Sequence, residues 1–381
     1  MRVLALSSHP VEAASTRYRL VQFIAPLAER GIMLDARPFL DSRLFASLYR
    51  RGELPRTSLG LLRAGIRRLG DAFAARNVDV LFVQREAMIF GPPLIEWLAK
   101  KVGHCPLVLD LDDATYISYS SPTYGRLGKV LKWPGKTDRL IRWANVVTCG
   151  NRTIAEYVRS QGTDAVVIPT VVDTDRFRPA ARSNGTHPPM PVIGWIGTHS
   201  TYPYLESIFP ALQDLARSHR FLLKIIGSGR DRIRVPGVSV QTLDWSLERE
   251  VEDFQSFDIG LYPIVDDGWS AAKSGFKAIQ YMAVGLPYVV TPLGACAEIG
   301  EPGVTHFCAS SRDEWCGALS RLLQDGERRK LMREAGRQHV LRHYHLSAQV
   351  ERLLNVLQQI VNKDPAAPHH EEHSVGWLHH V

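Results

Sequence analysis

The sequence lacks any long apolar run. No stretch approaches the roughly 18 residues that a helix needs to span a bilayer, and residues 1–7 are predicted to form a buried strand rather than a signal peptide. Its five cysteines are widely spaced, with no Cys-x-x-Cys pair, which argues against a disulfide framework and against a zinc site. We therefore expect a protein of the reducing cytoplasm that needs no metal.

Acidic residues are scarce in one early segment. The chain has a formal net charge of +7, and residues 41–70 hold seven arginines against only Asp41 and Glu53. The segment has few interleaved aromatic residues and no nucleic-acid motif, so we expect no nucleic-acid partner. The arginines are Arg43, Arg50, Arg51, Arg56, Arg63, Arg67 and Arg68.

Within this segment, apolar and basic residues alternate at helical spacing. The apolar set is Leu59, Leu62, Ile66 and Leu69, and the basic set is Arg63, Arg67 and Arg68. A basic amphipathic helix suits the surface of an anionic membrane, at about 1 kcal/mol per basic residue near the headgroups. An ordinary exposed helix has the same pattern. We keep both interpretations: an anionic membrane contacted through residues 43–69, with a peripheral location on its inner face, or no membrane contact.

The rest of the chain predicts two α/β domains. A length of 381 residues exceeds one typical core. Short apolar runs alternate with helical patterns, which is typical of parallel sheets covered by helices. Between residues 171 and 191 the sequence becomes polar and rich in turn formers, which places a boundary near residue 180. The main predicted strands are 3–7, 80–83, 107–110, 146–149, 165–169, 191–196, 221–226, 258–264 and 288–291.

The strongest local pattern lies at residues 273–287. Apolar residues at helical spacing predict a helix capped by Ser274 and ended by a Gly-Leu-Pro sequence. Lys273, Lys277 and Gln280 share its polar face. A helix start presents unpaired N–H groups and a partial positive charge, which suit a phosphate, and two lysines strengthen that preference. A solvated pair of lysines is the alternative.

Loops that follow strands supply further candidates, because ligands bind at the carboxyl ends of strands in open α/β sheets. In the second half, the backbone N–H groups of residues 197–200 form a second candidate phosphate cradle, and the loop 227–230 allows close backbone approach. In the first half, the helix that starts at Arg17 lies at this edge. An acidic loop, residues 110–113, has no nearby histidine, so we favour hydroxyl binding or a structural role over a metal.

The segment Lys-Ser-Gly-Phe-Lys-Ala-Ile-Gln-Tyr-Met-Ala-Val-Gly-Leu-Pro, followed by Tyr-Val-Val-Thr-Pro, resembles the nucleotide-sugar signature of family-4-type retaining glycosyltransferases. The resemblance implies the GT-B fold, with two facing Rossmann-like domains and a C-terminal helix that crosses back to the first. The implied division is an acceptor-binding domain (1–180), a nucleotide-sugar-binding domain (181–345), the returning helix (346–362) and a disordered tail (363–381).

The resemblance also implies roles for individual residues, with a nucleotide diphosphate sugar as donor and no further cofactor. The implied catalytic residues are Lys273, Lys277, Asp112 and Asp113. The implied donor-binding residues are Gly197, Thr198, His199, Ser200, Gly227, Ser228, Arg230, Trp245, Ser274, Gly275, Phe276 and Gln280. The implied acceptor-binding residues are Arg17, Arg19, Arg85 and Glu86. Trp245 has a core position as its alternative.

One departure from the family pattern leaves the activity open. The common pattern has two glutamates separated by seven residues, whereas this chain has Ala272 and Gln280. The amide of Gln280 can hydrogen-bond ribose hydroxyls without the strength of a carboxylate. Three functions follow: a retaining transferase acting on a glycan or lipid-linked acceptor in cell-surface polysaccharide synthesis, a nucleotide-sugar epimerase of the same fold, or a catalytically silent scaffold.

Overall fold

A computed structural model describes residues 1–47, 54–117, 131, 133–180, 190–267, 270 and 273–363. Within these residues the chain forms two six-stranded sheets, and every pairing in them is parallel. The first sheet has the order β2-β1-β3-β4-β5-β6 and the second has the order β12-β11-β10-β7-β8-β9. The α/β class with two Rossmann-like sheets, predicted from the sequence, is thereby confirmed.

The first sheet and its helices run from residue 2 to residue 167. A π-helical turn, Arg17–Val21, interrupts the first helical segment, and a short 3-10 turn, Ala75–Asn77, follows the longest helix of this half. In chain order the elements are β1 (Arg2–Ser7), α1 (Ala14–Thr16), α2 (Gln22–Ala28), β2 (Met33–Pro38), α3 (Ser42–Ser47), α4 (Leu54–Ala74), β3 (Val80–Gln84), α5 (Leu94–Gly103), β4 (Leu107–Leu111), α6 (Lys136–Trp143), β5 (Val146–Cys149), α7 (Arg152–Ser160) and β6 (Ala165–Val167).

The second sheet begins at residue 192. In chain order its elements are β7 (Val192–Ile196), α8 (Tyr202–Glu206), α9 (Phe209–Leu215), β8 (Leu222–Ile226), β9 (Ser239–Leu243), α10 (Glu250–Gln255), β10 (Ile259–Tyr262), α11 (Phe276–Ala283), β11 (Tyr288–Val290), β12 (Phe307–Cys308), α12 (Arg312–Gln324), α13 (Gly326–His343) and α14 (Leu346–Lys363). A 3-10 turn, Gly294–Ala297, separates β11 from β12.

The last helix returns to the first sheet. Val350, Leu353 and Leu357 of α14 are buried in one cluster with Val3 of β1 and Phe23 of α2. This stripe recurs at helical spacing, so burying it holds the far end of the chain against the first half. The returning helix predicted by the resemblance is therefore present. The domain boundary near residue 180 falls between the two sheets and stays a prediction.

Three strands are absent from the sequence-based prediction: β2, β9 and β12. The residues of β2 and β9 alternate between exposed and more buried positions, and β12 has only two residues. These strands lie at sheet edges, where one side of the ladder needs no partner and the apolar signal is weak. The parallel pairing with a neighbouring strand, rather than local pattern, determines them.

Three other expectations lie wholly or partly outside the described residues. Ala272 is not described, nor are residues 364–381 of the predicted tail or residues 48–53 of the basic segment. Over the part of the chain that the structure does describe, no helix combines the length and the apolar character needed to cross a membrane.

Candidate active site

The lysine helix starts later than predicted. Helix α11 begins at Phe276, and Gly275, with a φ of 65°, takes the N-cap position without a side-chain hydrogen bond, so Ser274 is not the cap. A Cβ atom at Gly275 would lie 2.2 Å from Cδ1 of Ile299. Glycine is required there by both its positive φ and this close approach. Lys273 thus precedes the helix and Lys277 lies in its first turn.

The two lysines are held in poorly hydrated positions. Burial lowers the pKa of Lys277 to about 8, and the charge of Lys273 adds to that effect. Burial also lowers the pKa of Lys273, against the opposing pull of the Asp113 and Asp267 carboxylates. Lys277 forms no hydrogen bond or ion pair within 4 Å with any described residue. An anion placed between the two ammonium groups would relieve both the desolvation and their repulsion.

Aromatic rings border both lysines. Nζ of Lys273 lies 4.4 Å from the ring centroid of Tyr204 in α8, and Nζ of Lys277 lies 5.9 Å from that of Tyr262 in β10. The hydroxyl of Tyr204 donates a hydrogen bond to Asp267. These rings are attracted to the cations without neutralising them, so the charge of Lys277 stays available to a ligand.

The first sheet supplies a carboxylate to the same place. Asp113, in the loop after β4, interacts electrostatically with Lys273 of the second half. Burial raises the pKa of Asp113 to about 6; the Arg85 guanidinium opposes that rise, and the neighbouring Asp112 carboxylate adds to it. The structure therefore brings the predicted residues Asp113, Lys273 and Lys277 together, although their catalytic roles stay predictions.

Arg85 neutralises the other acid of that loop. Its Nε and Nη2 atoms donate to the two carboxylate oxygens of Asp112 at 2.6 and 2.9 Å. Burial favours the protonated form of Asp112, but this guanidinium outweighs it, and the pKa is lowered. Arg85 also has a φ of 60°, which is strained for a residue with a Cβ atom. The Nη2 atom of Arg85 also donates to Asp113 at 3.4 Å, so this guanidinium contacts both acids of the loop.

Two residues predicted to bind the acceptor instead pair with other residues of the first half. Arg19 is buried and donates to Asp110 and to the Ile168 carbonyl. Glu86 forms an ion pair with Lys136 at 2.9 Å. The sequence predicted that these residues lie near the carboxyl ends of the strands, but it did not identify their partners. Both positions support the loops of the edge, so their prediction as acceptor ligands gains no support from the contacts.

Arg17 connects the two halves of the molecule. It donates through Nη2 to Glu250 of α10 at 2.9 Å, and the hydroxyl of Tyr18 donates to the second oxygen of Glu250 at 2.6 Å. The ring of Tyr18 lies 4.6 Å from that of Phe276. All three charged or hydroxyl groups are buried. Glu250 was missed by the sequence analysis, because no local pattern identifies a carboxylate whose partners are more than 200 residues away.

Trp245 contributes to this same contact. Its ring lies 5.2 Å from the Arg17 guanidinium carbon, and it packs against the main core of the second half. The indole therefore packs partly against the core and partly against Arg17 at the junction between the two sheets. The donor-binding and core interpretations of Trp245 both stay open.

Gln280 is buried on α11.

The second phosphate cradle is smaller than predicted. The N–H of Gly197 donates to the Ile226 carbonyl at 3.0 Å, and the N–H of Thr198 donates to Oγ1 of Thr201 at 3.1 Å. Two of the four predicted N–H groups are therefore already engaged within the protein. The correction follows from the tight turn that begins α8, whose first residues hydrogen-bond each other.

The neighbouring loop packs directly against that turn. A Cβ atom at Gly227, whose φ is 75°, would lie 2.4 Å from the Gly197 carbonyl oxygen. Ser228 is buried, and the Arg230 guanidinium lies 4.8 Å from the Tyr202 ring centroid. The loop 227–230 therefore lies close to the 197–200 turn, and its approach to a ligand stays a prediction. Among the described residues, no group of three histidine, cysteine or acidic side chains could hold a metal ion.

The second half matches a known family. Residues 190–325 match the family model described as glycosyl transferases group 1. No curated protein matched the chain. The match contains both the lysine helix and the 197–200 turn, so the resemblance read from the sequence signature is confirmed over this part.

Solved glycosyltransferase structures share the fold of the whole chain. A glycosyltransferase from Rickettsia africae superposes with a TM-score of 0.65 at 14% identity, over 94% of this chain and 98% of the other. Anabaena HepE in complex with UDP-glucose has a TM-score of 0.66 at 15% identity, over 94% and 100%. Sucrose-phosphate synthase from Thermosynechococcus elongatus has 0.64 at 13%, over 95% and 100%. The architecture is therefore GT-B.

Proposed function

We propose that this chain, whose residues 190–325 form a group 1 glycosyl transferase domain within a GT-B fold, is a retaining glycosyltransferase. It moves a sugar from a nucleotide diphosphate donor to a glycan or lipid-linked acceptor. The structures of HepE with UDP and UDP-glucose make UDP-sugars the first donors to test. The setting we propose is cell-surface polysaccharide or glycoconjugate synthesis on the inner side of the membrane.

One observation carries the proposal: a pair of lysines that burial makes less stable as cations. The pKa of Lys277 is lowered to about 8 by burial and by Lys273. In the unliganded protein the neighbouring Lys273 adds to the cost of keeping Lys277 charged. A pyrophosphate bound at the start of the helix would supply negative charge to Lys277 and offset that cost.

The same charges act on the reaction itself. As the bond between the anomeric carbon and the phosphate oxygen breaks, negative charge grows on the leaving nucleotide diphosphate. Cations fixed at that oxygen stabilise the transition state more than the ground state. The departing phosphate oxygen can accept the acceptor's hydroxyl proton while the new carbon–oxygen bond forms on the same face. No metal and no carboxylate nucleophile is needed in this scheme.

Asp113 is the group we propose for the acceptor side. It interacts with Lys273 across the junction and accepts one longer contact from Arg85 at 3.4 Å, whereas Asp112 is bound by both arms of Arg85 at 2.6 and 2.9 Å. With a pKa raised to about 6 by burial, Asp113 remains mostly ionised at neutral pH and can accept a hydrogen bond from an acceptor hydroxyl. The Arg17–Glu250 contact holds the halves together there and limits the entry of water.

A panel of nucleotide sugars tests the proposal. The purified chain is incubated with UDP-, GDP- and ADP-sugars, with and without membrane-extracted glycolipids or oligosaccharides, and nucleotide diphosphate release is measured. Release that requires an acceptor is the expected result. Release without an acceptor, accompanied by an altered sugar, would instead identify an epimerase, and the absence of binding to every nucleotide would identify a silent scaffold.

A further inference from the structure

The longest helix of the first half turns an apolar face to solvent. Five large apolar side chains of α4 are between 47% and 62% exposed. At 100° per residue they fall within about 80° of the helix circumference, so they form one straight stripe. They are Leu59, Leu62, Ile66, Leu69 and Phe73. We call this set the outer stripe.

The outer stripe is not the face that packs on the protein. The opposite side of α4 is buried and holds Ala64, Arg68 and Ala72. Arg68 donates to the carbonyl oxygens of Ser7 and Ala87 and to Asp71, so it belongs to the interior and not to the exposed basic set that the sequence suggested. A helix that buries an arginine and exposes leucines reverses the usual arrangement of a surface helix.

Basic residues line one edge of the outer stripe. Arg63 and Arg67 are exposed and lie along that edge at helical spacing; one arm of Arg67 donates to the carbonyls of Pro38 and Phe39. The Arg76 guanidinium lies 5.4 Å from the Phe73 ring just after the helix. The only acid of the helix, Asp71, is buried and bound by Arg37 and Arg68. The exposed face of α4 therefore carries apolar and cationic side chains but no acidic one.

We propose that the outer stripe and its arginines form a docking surface for an anionic lipid bilayer, with α4 lying flat in the headgroup region. Leucine, isoleucine and phenylalanine would enter the acyl boundary while the arginines pair with lipid phosphates. A second copy of the chain is a poorer occupant, because pairing two such faces would bring arginine edges of the same sign together.

The neighbouring helix extends the surface. Helix α5 packs beside α4, with Gly103 against Ala75 of the 3-10 turn that follows α4, and it exposes Leu94 and Trp97. An exposed tryptophan on the helix next to α4 suits the interface between headgroups and acyl chains. This inference rests on the proposed function in one respect only: docking would present the junction between the sheets to a lipid-linked acceptor.

Co-sedimentation of the full chain with vesicles tests the docking surface without using activity. The vesicles contain either phosphatidylcholine alone or equal parts of phosphatidylcholine and phosphatidylglycerol. We expect binding to the anionic vesicles and little to the neutral ones. Leu62→Gln plus Ile66→Gln should weaken binding at least about tenfold, as should Arg63→Glu plus Arg67→Glu.

Matched variants on the other half serve as controls. Leu331→Gln removes an equally exposed leucine of α13, and Arg220→Glu plus Arg321→Glu reverses two exposed charges; binding should stay within about twofold of the wild type in both. Circular dichroism checks that every variant is folded. Absence of vesicle binding, equal loss in the control variants, or a concentration-dependent dimer that the stripe variants abolish would each overturn the proposal. Nucleotide binding by calorimetry is measured on the same samples, so failure of the docking surface is distinguished from failure of the proposed transferase.

Discussion

The two sheet edges that meet at the junction treat charge in opposite ways. At the first sheet, basic side chains are matched with acids: Arg19 with Asp110, and Arg85 with Asp112. At the second, burial lowers the pKa of both Lys273 and Lys277. The charged groups at the first edge therefore pair with each other and stabilise the fold. The ammonium group of Lys277 at the second edge is destabilised in the free protein and is available to bind an anion.

Removing an arginine from the edge of the first sheet gives the strongest test of this comparison. Arg19→Met leaves the Asp110 carboxylate buried without its cation, and we expect a loss of about 3–5 kcal/mol in the free energy of unfolding. Urea denaturation followed by circular dichroism measures it. A stable variant with a raised KM for acceptor would contradict the structural role and would restore Arg19 as an acceptor ligand.

Two variants sharpen that result. Arg30→Met removes a surface partner of Glu351 and should lower stability by less than about 1 kcal/mol. Arg19→Met combined with Asp110→Leu removes both buried charges and should recover part of the loss. A double variant no more stable than Arg19→Met alone would show that the loss comes from packing, not from an unpaired carboxylate.

At the second edge, we expect a substitution to raise the free energy of unfolding instead of lowering it. Lys277→Met removes a desolvated ammonium group, and we expect stability to rise by about 1–3 kcal/mol at neutral pH. Because the pKa is about 8 in the folded protein against 10.5 in its ordinary state, the wild type recovers this difference as pH rises from about 8 toward 10.5. Thermal unfolding of both proteins across that range measures the gap. A gap that widens with pH would refute the assignment.

A smaller expected effect is the uptake of protons when UDP binds. If a diphosphate binds Lys277 as a cation, its pKa must rise on binding, so UDP binding near pH 8 should take up a fraction of a proton. Affinity should also fall as pH rises above about 8. Calorimetry in buffers of different ionisation enthalpy measures the uptake. Lys277→Arg, which stays charged throughout, should remove it; the same uptake in this variant would assign the proton to another group.

Local pattern was enough to predict the alternating α/β units, the parallel sheets and the lysine helix, because each depends on residues close in sequence. It placed Lys273 and Lys277 on a helix start and Asp113 at a strand end. It could not supply long-range partners, so the Glu250 contact and the pairing of Arg19 with Asp110 were both missed. It also gave α4 its amphipathic pattern but not its orientation, since Arg68 enters the interior through bonds to carbonyls of distant residues.

The central claim is that the lysine pair holds the diphosphate of the donor. Calorimetric titration of UDP into the wild type, Lys277→Ala and Lys330→Ala, the last being an exposed lysine of α13, tests it most directly. Removing a buried cation from a diphosphate should weaken binding at least about 100-fold, whereas Lys330→Ala should bind as the wild type does. Equal affinity for UDP in all three proteins would contradict the account.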